Sequence, residues 1–365
     1  MRGPLWLLVV AAPLLGCEAA DPAETSPADA APGETNVSAA CAADDGALLV
    51  PEDASCARKA DDYVPGSASD GWPACISDDG VYHPFSASVS SLTRVAAFEQ
   101  IASILGFGTA KVPTASDFLD ARLVYAQDEG IASRVARRED EHYPPAPKAC
   151  RDLSPAEIAA NADRCVGPAK LAPILNAAFE QGAKGVDPLG NAARIEAALL
   201  WFFYVSTYKE SRSCADKAND CDSMWAKYTG GEPRVSAKGL SRVIRARSPQ
   251  AHERTWDAIL GVRCWRDLDN PSGAASDLAL RDRAVTQLDR ALLRGMATIV
   301  RQRAAKRACG GTWEGVRILG GFLDREATAR LPAQAAVLRA ELAKRAAMAD
   351  EAALFAALDA IFPCP

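Results

Sequence analysis

The sequence is poor in the residues and motifs with which many enzymes and metal proteins build their sites. It contains three histidines in 365 residues, no Cys-x-x-Cys pair, and none of the spacings Gly-x-Ser-x-Gly, Gly-x-x-x-x-Gly-Lys-Ser/Thr or His-Glu-x-x-His. The few histidines and the missing cysteine pairs exclude a typical zinc site. The missing nucleophile and phosphate-binding motifs give no support for an enzyme, so we expect a non-catalytic protein.

No stretch of the sequence has the ~20 consecutive apolar residues of a membrane span. Arg2 is followed by a shorter apolar run, Leu5 to Leu15, which has the length of a signal-peptide core. This run ends in Leu-Leu-Gly-Cys at Cys17, which resembles the lipobox of bacterial lipoproteins. The resemblance implies a signal peptide over residues 1–16 and a covalent lipid on Cys17 as the only non-protein group. It also implies a place in the bacterial cell envelope, anchored to a membrane. The alternative is an ordinary secretory signal in which Cys17 is incidental.

Aromatic side chains are missing from the next segment, residues 17–40, which consists mostly of Ala, Pro, Asp, Glu, Ser and Thr. Such a segment cannot bury enough apolar surface to offset the entropy of ordering it, so we predict a disordered tether. Residues 17–62 hold eleven acids against Arg58 and Lys59, although the net charge of the whole chain is only −6. The rest of the chain is therefore close to neutral.

The basic residues of the second half do not indicate nucleic acid. Residues 232–310 contain sixteen lysines and arginines against eight acids. They are spaced along predicted helix faces and are not clustered, which is typical of solvated faces. We therefore expect no nucleic-acid partner, whereas attraction to anionic lipid head groups remains open.

Cysteine is abundant, with eleven residues. If Cys17 carries a lipid, ten cysteines remain, and an even number behind an export signal predicts up to five disulfides in an oxidising compartment. Local spacing favours the pair Cys214–Cys221, which closes a short loop, and next the pair Cys150–Cys165. A pair between Cys264 and Cys309 is our third prediction.

The distribution of apolar residues predicts an all-α fold. Residues 41–87 lack a helical period and are rich in Gly, Pro, Ser and Asp, so we expect an irregular lead-in with a short hairpin around "SDDGVYHPF". From residue 88 to 365 apolar residues recur at three- and four-residue steps. We predict ten or eleven helices in two packed bundles, over 88–212 and 233–365. The helix containing Ala197–Val205 is apolar on nearly all sides and should be buried at the centre.

Two short acidic sequences are candidate cation sites. Glu139 and Glu141 lie beside His142 in the sequence "REDEH", where carboxylates near a histidine could bind a metal or shift its pKa. A solvated helix end is the alternative interpretation. The acids around Asp220 do not have the spacing of an EF-hand, which favours a polar turn closed by a disulfide.

The stretch "ARIEAALLWFF" resembles the core helix of imelysin-like proteins, a family of exported helical proteins that are often lipoproteins. The family pattern is Gly-x-His-x-x-Glu before Leu-Leu-Trp, and Glu196, Leu199, Leu200 and Trp201 correspond to it within one residue. The resemblance covers roughly residues 88–362 and implies two helical bundles. Ala193 or a neighbour stands where the family has its histidine. The metal site implied by the family would therefore have to use Glu196, which we combine with Glu139, Glu141 and His142.

The sequence thus predicts a lipid-anchored envelope protein whose helical domain binds an envelope protein or a small ligand without catalysis and without a further cofactor. The alternative is an imelysin-like protein of iron or copper uptake, or a metallohydrolase. A ligand groove between bundles would be lined by aromatics near the central helix, and their alternative role is core packing. These groove candidates are Trp201, Tyr204, Tyr208, Trp225, Tyr228 and Trp256.

Overall fold

The structure is a computed structural model that describes residues 56–127, 130–268 and 276–364. The chain divides into two units, Met1–Asn36 and Val37–Pro365, and every described residue belongs to the second. The predicted signal peptide, the lipid-modified Cys17, the tether and residues 41–55 of the lead-in lie outside the described residues.

The described residues form an all-α fold, as predicted, with thirteen helices and no strand. The first helices are short and several of the later ones are long. Their bounds are α1 Leu92–Leu105, α2 Ala115–Ala126, α3 Ala132–Val135, α4 Pro155–Ala160, α5 Ala172–Ala183, α6 Pro188–Ser213, α7 Ala218–Thr229, α8 Gly239–Arg245, α9 Pro249–Leu268, α10 Leu278–Ala305, α11 Thr312–Arg330, α12 Pro332–Leu342 and α13 Glu351–Ile361.

Helix α6 is the predicted central helix and packs against α5, α7, α10 and α11. Its residues from Ala197 to Val205 are all buried, because a helix that is apolar on every side lowers its free energy only when neighbours cover it completely. Asp187 caps its first turn by accepting from the Gly190 N–H, and Pro188 follows at the first helical position. Around α6, the helices α9 and α10 form one closely packed pair and α11 to α13 pack in succession.

Two helix starts have capping residues that are recognisable in the sequence, Ser154 before Pro155 and Ser248 before Pro249. The Ser154 hydroxyl accepts from the Glu157 N–H, and the Glu157 carboxylate accepts from the Ser154 N–H in return. Ser248 precedes Pro249 and its hydroxyl accepts from the Ala251 N–H. These bonds satisfy backbone donors that the first helical turn leaves without partners.

The two predicted halves share one hydrophobic core. A single cluster of buried side chains extends from Tyr63 through α6 to Phe362. A small second cluster surrounds the Cys150–Cys165 disulfide. None of the described helices is both long and apolar enough to cross a membrane.

The hairpin predicted around "SDDGVYHPF" is wrong, because this segment contains the 3-10 turn Ile76–Asp79 followed by irregular chain and a bend. The chain leaves the turn through Gly80, whose φ of 77° is favourable only for glycine. Asp222 on α7 then holds this irregular part: it accepts from the Tyr82 hydroxyl and from the N–H groups of Phe85 and Ser86, at 2.9–3.0 Å. These bonds satisfy backbone groups that a hairpin partner would otherwise satisfy.

Both local disulfides were predicted correctly, and the long-range prediction was wrong. The structure contains Cys150–Cys165 and Cys214–Cys221. Cys264 is bonded to Cys75 in the lead-in and not to Cys309. A fourth disulfide joins Cys56 to Cys364 near the other end of the chain. The error arose because sequence spacing reports only on nearby partners, whereas the lead-in folds back onto the second half.

Candidate functional site

The segment around His142 is fixed by backbone hydrogen bonds to residues 164–167, which precede α5. The Asp140 N–H donates to the Arg164 carbonyl at 2.8 Å, and the Gly167 N–H donates to the Arg138 carbonyl at 2.9 Å. A Cβ on Gly167 would lie 2.0 Å from the Val135 carbonyl oxygen, so this close approach requires glycine. The chain before His142 therefore has little freedom to move away from the helices.

His142 lies between two carboxylates. Its Nδ1 is 2.6 Å from Asp140 Oδ1, and its Nε2 is 3.2 Å from Asp289 Oδ1 on α10. The Tyr204 hydroxyl donates to the same Asp289 oxygen at 2.5 Å. The Tyr208 ring stacks on the imidazole with 3.6 Å between ring centroids. We call these five residues the His142 cluster.

The two carboxylates keep the imidazole charged. Burial disfavours the charge, but the bonds to Asp140 and Asp289 outweigh it and raise the pKa of His142 to about 9. Burial likewise opposes the charge of Asp289, yet His142 and Tyr204 hold the pKa of its carboxyl below the usual range. At neutral pH the cluster is therefore an imidazolium between two carboxylates, with an exposed fraction of only 4% for the histidine side chain.

The space next to the His142 cluster is too small for a substrate. The enclosed cavity has a volume of about 20 Å³ and is also lined by Trp201, Lys170 and Arg325. This volume holds roughly one water molecule. Because the imidazole has two carboxylate partners and no open face, the arrangement suits a buried ion cluster that orders the bundle.

A second buried ion cluster lies further along α6. Glu210 forms an ion pair with Lys227 on α7, and Arg138 lies 3.6 Å from the same carboxylate. Burial opposes the charge of Glu210, but Lys227 and Arg138 hold its pKa well below the usual range. Burial lowers the pKa of Lys227, although Glu210 counteracts it. Both cations thus serve to compensate one buried carboxylate, and removing one partner would leave an uncompensated charge.

The predicted metal residue Glu196 lies in a different place, a cleft of about 140 Å³ beside the first half of α6. Its carboxylate is 2.6 Å from the Arg303 guanidinium. The cleft is otherwise lined by cations and small or apolar residues, among them Lys111, Arg247 and Lys306. We call it the Glu196 cleft. Its excess of cationic side chains disfavours a metal ion, which needs several anionic or neutral donors.

The four residues proposed for a metal site do not come together. His142 contacts Tyr204, which lies eight residues and therefore ~12 Å along α6 from Glu196. Glu139 pairs with Arg164 at 2.8 Å, and Glu141 lies 3.5 Å from Arg212. Within residues 56–127, 130–268 and 276–364, no group of three or more His, Cys, Asp or Glu side chains could hold a metal ion. The residues present therefore do not fit the site that the imelysin-like resemblance implies.

The predicted aromatic groove is not present, because the six side chains lie in three separate parts of the core. Trp201, Tyr204 and Tyr208 lie near His142. The ring of Trp225 stacks on Tyr82 of the lead-in. The remaining two, Tyr228 and Trp256, lie beside the buried His252. A helix buried on every side distributes its aromatics around its circumference, so the alternative interpretation, core packing, describes them better.

A wide, open groove lies between α5, α11 and α12. Its volume is about 780 Å³, within the range of small-molecule and peptide sites. Apolar and small residues form most of its lining, and three arginines and two acids complete it. The apolar set is Pro173, Ile174, Ala177, Ile318, Gly320, Gly321, Leu342 and Ala343, and the charged set is Arg194, Glu314, Arg317, Asp324 and Arg339. We call it the α11 groove.

Two adjacent glycines of α11 shape the α11 groove differently. A Cβ on Gly320 would lie 2.5 Å from Leu342 Cδ1, so this glycine lets α12 approach α11 closely. A Cβ on Gly321 would meet nothing within 4 Å. Gly321 also lines the small cavity of the His142 cluster, so that the groove and the cavity meet at this residue.

Comparisons with known proteins add no assignment: no protein-family model, curated protein or solved structure matches this chain. The imelysin-like resemblance therefore stays a prediction that rests on the few residues of α6.

Sequence reasoning missed Asp289 and the α11 groove. Asp289 follows Val285 by four residues and precedes Leu292 by three, which places an acid on the predicted buried face of α10. An acid at such a position needs a buried cation, and that signal could have led to His142. No pattern in the sequence indicates the groove, because its shape depends on how α5 and α12 pack against α11.

Proposed function

We propose that the protein is a bacterial envelope lipoprotein, anchored by a lipid on Cys17, whose helical domain binds a ligand in the α11 groove without catalysing a reaction. The ligand class that suits the groove is an apolar molecule or segment with an anionic group. The observation that carries the proposal is the groove itself, which combines an apolar lining with arginine side chains.

The state of the cysteines supports the envelope location. All nine cysteines in the described residues are disulfide-bonded. Such bonds persist in oxidising compartments and are rare in the cytosol of most organisms. This agrees with an exported protein, while the lipid anchor is supported by the sequence around Cys17.

The ion pairs of the buried residues support binding over catalysis. His142, Lys227 and Glu196 are the groups whose chemistry could serve a reaction, and each has an oppositely charged partner in contact. A general base or nucleophile has to reach a substrate atom directly or through one water. The His142 cluster offers room for about one water and Lys227 is buried, so neither suits that role.

The charged lining of the groove supports an anionic ligand group. Glu314 lies 3.2 Å from Arg194 and 3.7 Å from Arg317, so one carboxylate is shared by two guanidinium groups. Arg339 pairs with Asp324 at 2.7 Å. Three arginines and two acids lie on a surface that is otherwise apolar, and Arg194 also pairs with Asp187 beside the groove at 3.2 Å. The side chains of Arg317 and Arg339 are about half exposed, which leaves them accessible to an anionic group.

A fluorescent probe with the same chemistry tests the proposal. Anilinonaphthalene sulfonate has an apolar ring system and one sulfonate, and its emission rises on binding in an apolar site. We expect saturable binding to the native domain and at least a tenfold weaker affinity for Gly321→Leu, because the new side chain enters open space in the groove. The matched control is Ala329→Leu, which adds a leucine at an exposed position of α11 outside the groove lining. Equal binding by wild type and both variants would refute the site.

The alternative of an imelysin-like metal protein has its own test. The purified oxidised protein is scanned for thermal shifts with Fe²⁺, Fe³⁺, Cu²⁺ and Zn²⁺, each at 100 times an assumed dissociation constant. Binding to the native state alone would then add ~2.7 kcal/mol, a shift of a few degrees. A saturable shift with iron or copper that Glu196→Gln abolishes would favour the alternative over the proposal. We expect no such shift, because Arg303 occupies the carboxylate of Glu196.

A further inference from the structure

The α11 groove continues at one end into a second, basic concavity. The two concavities share the lining residues Glu314, Arg317 and Ala343. The second has a volume of about 400 Å³ and lies between the start of α11 and the loop that follows α12. Four cationic side chains line it, which are Arg307, Arg317, Lys344 and Arg345. We call it the Arg345 pocket.

We propose that the groove and the pocket together bind one anionic phospholipid-like amphiphile, with its apolar chain in the α11 groove and its phosphate-containing head group in the Arg345 pocket. The chain would lie in the α11 groove, so the proposal rests on the proposed function for that half of the site. The pocket supplies the place and the chemistry of the charged end.

The two ends of the groove differ in the charge that they leave available. At one end Arg339 pairs with Asp324 at 2.7 Å, so that both charges are compensated. Glu314 stands ten residues earlier on α11, ~15 Å away, and the groove opens into the Arg345 pocket there. At that end Arg317 is 3.7 Å from Glu314 and half exposed. An apolar surface with accessible cations at one end matches an amphiphile with a single charged end.

The cations of the pocket are accessible to an anion. Arg345 is exposed and forms no ion pair with any described residue. Lys344 pairs with Glu341 at 2.6 Å, and Arg307 pairs with Glu351. Both of these cations are partly exposed, and ion pairs at such positions contribute little net free energy. A phosphate can therefore share these cations, and Arg345 adds a charge that no described acid compensates.

The loop that carries Lys344 and Arg345 is held in place before any ligand arrives. The Trp313 indole N–H of α11 donates to the Lys344 carbonyl at 2.9 Å. At the other end of the loop, the Asp350 N–H donates to the carboxylate of the buried Glu341 at 2.8 Å. Because the backbone is already ordered, binding has less conformational entropy to offset.

The size of the Arg345 pocket favours a phosphate head group over the carboxylate of a fatty acid. A volume of about 400 Å³ holds on the order of ten water molecules, much more than one carboxylate displaces. A phosphate that bears a glycerol fills more of this space. Guanidinium groups bind phosphate oxygens through paired, charge-assisted hydrogen bonds, and three of the four cations are arginines.

Native mass spectrometry of the full mature protein tests the proposal. The protein is purified from the envelope of a bacterial host in an uncharged detergent, and the lipid-bound fraction is measured during titration. The probes are lauroyl lysophosphatidylglycerol, lauroyl lysophosphatidylcholine, which has the same chain but no net charge, and glycerol phosphate, which has no chain. We expect saturable binding of the anionic lipid, about tenfold weaker binding of the choline lipid and no detectable binding of glycerol phosphate.

Two variants separate the head-group site from the chain site. Arg345→Gln should weaken the anionic lipid about tenfold and leave the choline lipid unchanged, because it removes one charge-assisted contact with the phosphate. Gly321→Leu should weaken both lipids, because its side chain enters the groove. The matched control is Arg151→Gln, which removes an exposed arginine outside both concavities and should change neither.

The possible failures are distinguishable. Equal affinity for the two lipids, with both weakened by Gly321→Leu, would overturn the head-group site and leave the groove intact. Glycerol phosphate bound as tightly as the anionic lipid would show a site for free phosphate esters and overturn the lipid. Displacement of anilinonaphthalene sulfonate by an acidic amphipathic peptide, and not by the anionic lipid, would assign the groove to a protein segment. No lipid binding, together with dye binding that Gly321→Leu leaves unchanged, would refute both this proposal and the proposed function.

Discussion

Replacing His142 by glutamine should weaken the protein most at acidic to neutral pH and less in alkali. The imidazolium lies between Asp140 and Asp289, 2.6 and 3.2 Å from their nearest oxygens. Glutamine keeps a polar side chain of similar length but carries no charge. The variant therefore leaves the buried Asp140 and the largely buried Asp289 without their shared cation, which costs free energy of folding.

The pH dependence follows from the raised pKa of His142. In the folded protein this pKa is about 9, against 6.5 for an unperturbed histidine. Between these values the native state holds a proton that the unfolded chain has lost, so stability falls as the pH rises. A shift of this size corresponds to about 3 kcal/mol of unfolding free energy, present at pH 6 and nearly lost at pH 9. The lowered pKa of Asp289 makes stability rise with pH, but only in the acidic range where carboxyl groups titrate.

The measured quantity is the difference in unfolding free energy between wild type and His142→Gln at each pH. Burial lowers the pKa of Lys227, so its titration makes stability rise with pH over the same range. This contribution is the same in both proteins and cancels in the difference. Other groups facing the imidazole are Tyr204 and Tyr208 on α6 and Arg325 on α11. Urea unfolding with disulfides intact, at pH 6, 7, 8 and 9, gives the values.

The control is His83→Gln, since His83 forms an exposed pair with Asp79 at 2.8 Å. A surface pair of this kind contributes at most about 1 kcal/mol, so its variant should show little change. For His142→Gln we expect the difference in unfolding free energy from wild type to decrease by about 3 kcal/mol from pH 6 to pH 9. A gap that stays constant within about 0.5 kcal/mol would refute the charged cluster.

Three further predictions concern single positions. Asp222→Asn should lower the free energy of unfolding by ~1–3 kcal/mol and speed hydrogen exchange of the Phe85 and Ser86 amides. The reason is that one amide oxygen cannot replace a carboxylate that accepts three hydrogen bonds. Unchanged exchange would contradict the role of Asp222 in holding the lead-in. Gly320→Ala should destabilise the protein by ~1–3 kcal/mol, because its Cβ would meet Leu342. Gly321→Ala should stabilise it by up to ~1 kcal/mol, because its Cβ meets nothing and alanine favours a helix more than glycine does. Thermal unfolding of the two variants measures the difference, and equal effects would argue against the close contact of α11 with α12. Cys17→Ser should abolish labelling with radioactive palmitate and release the protein from membranes, and retention of the label would place the lipid elsewhere.

The fold was predictable wherever apolar periodicity and capping residues agree. The start of α9 at Pro249, the end of α1 before Gly106 and the burial of α6 follow from local sequence alone. The lead-in was not predictable in this way, because Asp222, 137 residues from Phe85 along the chain, holds it in place. Disulfides show the same division: the pairs within 15 residues were predictable, and the pairing of Cys264 with Cys75 was not.

The candidate site was less predictable than the fold, for a physical reason. "REDEH" identified His142 as a residue with unusual electrostatics, but its second carboxylate comes from α10, 147 residues later in the chain. The six aromatics near the central helix are groove candidates on the sequence alone, with core packing as the alternative. The α11 groove, by contrast, contains no aromatic residue. Its shape depends on the contact of Gly320 with Leu342, which no local pattern encodes.

The acids of the described lead-in hold its backbone in place. Asp62, Asp70 and Asp78 each accept hydrogen bonds from backbone N–H groups within eight residues of themselves. A segment with little regular secondary structure satisfies its backbone donors in this way through Asp side chains. Because these carboxylates are engaged in holding the lead-in, they are not available as a cation or partner site. The open, apolar α11 groove is therefore the better place to look for a ligand than any acidic cluster of the described lead-in.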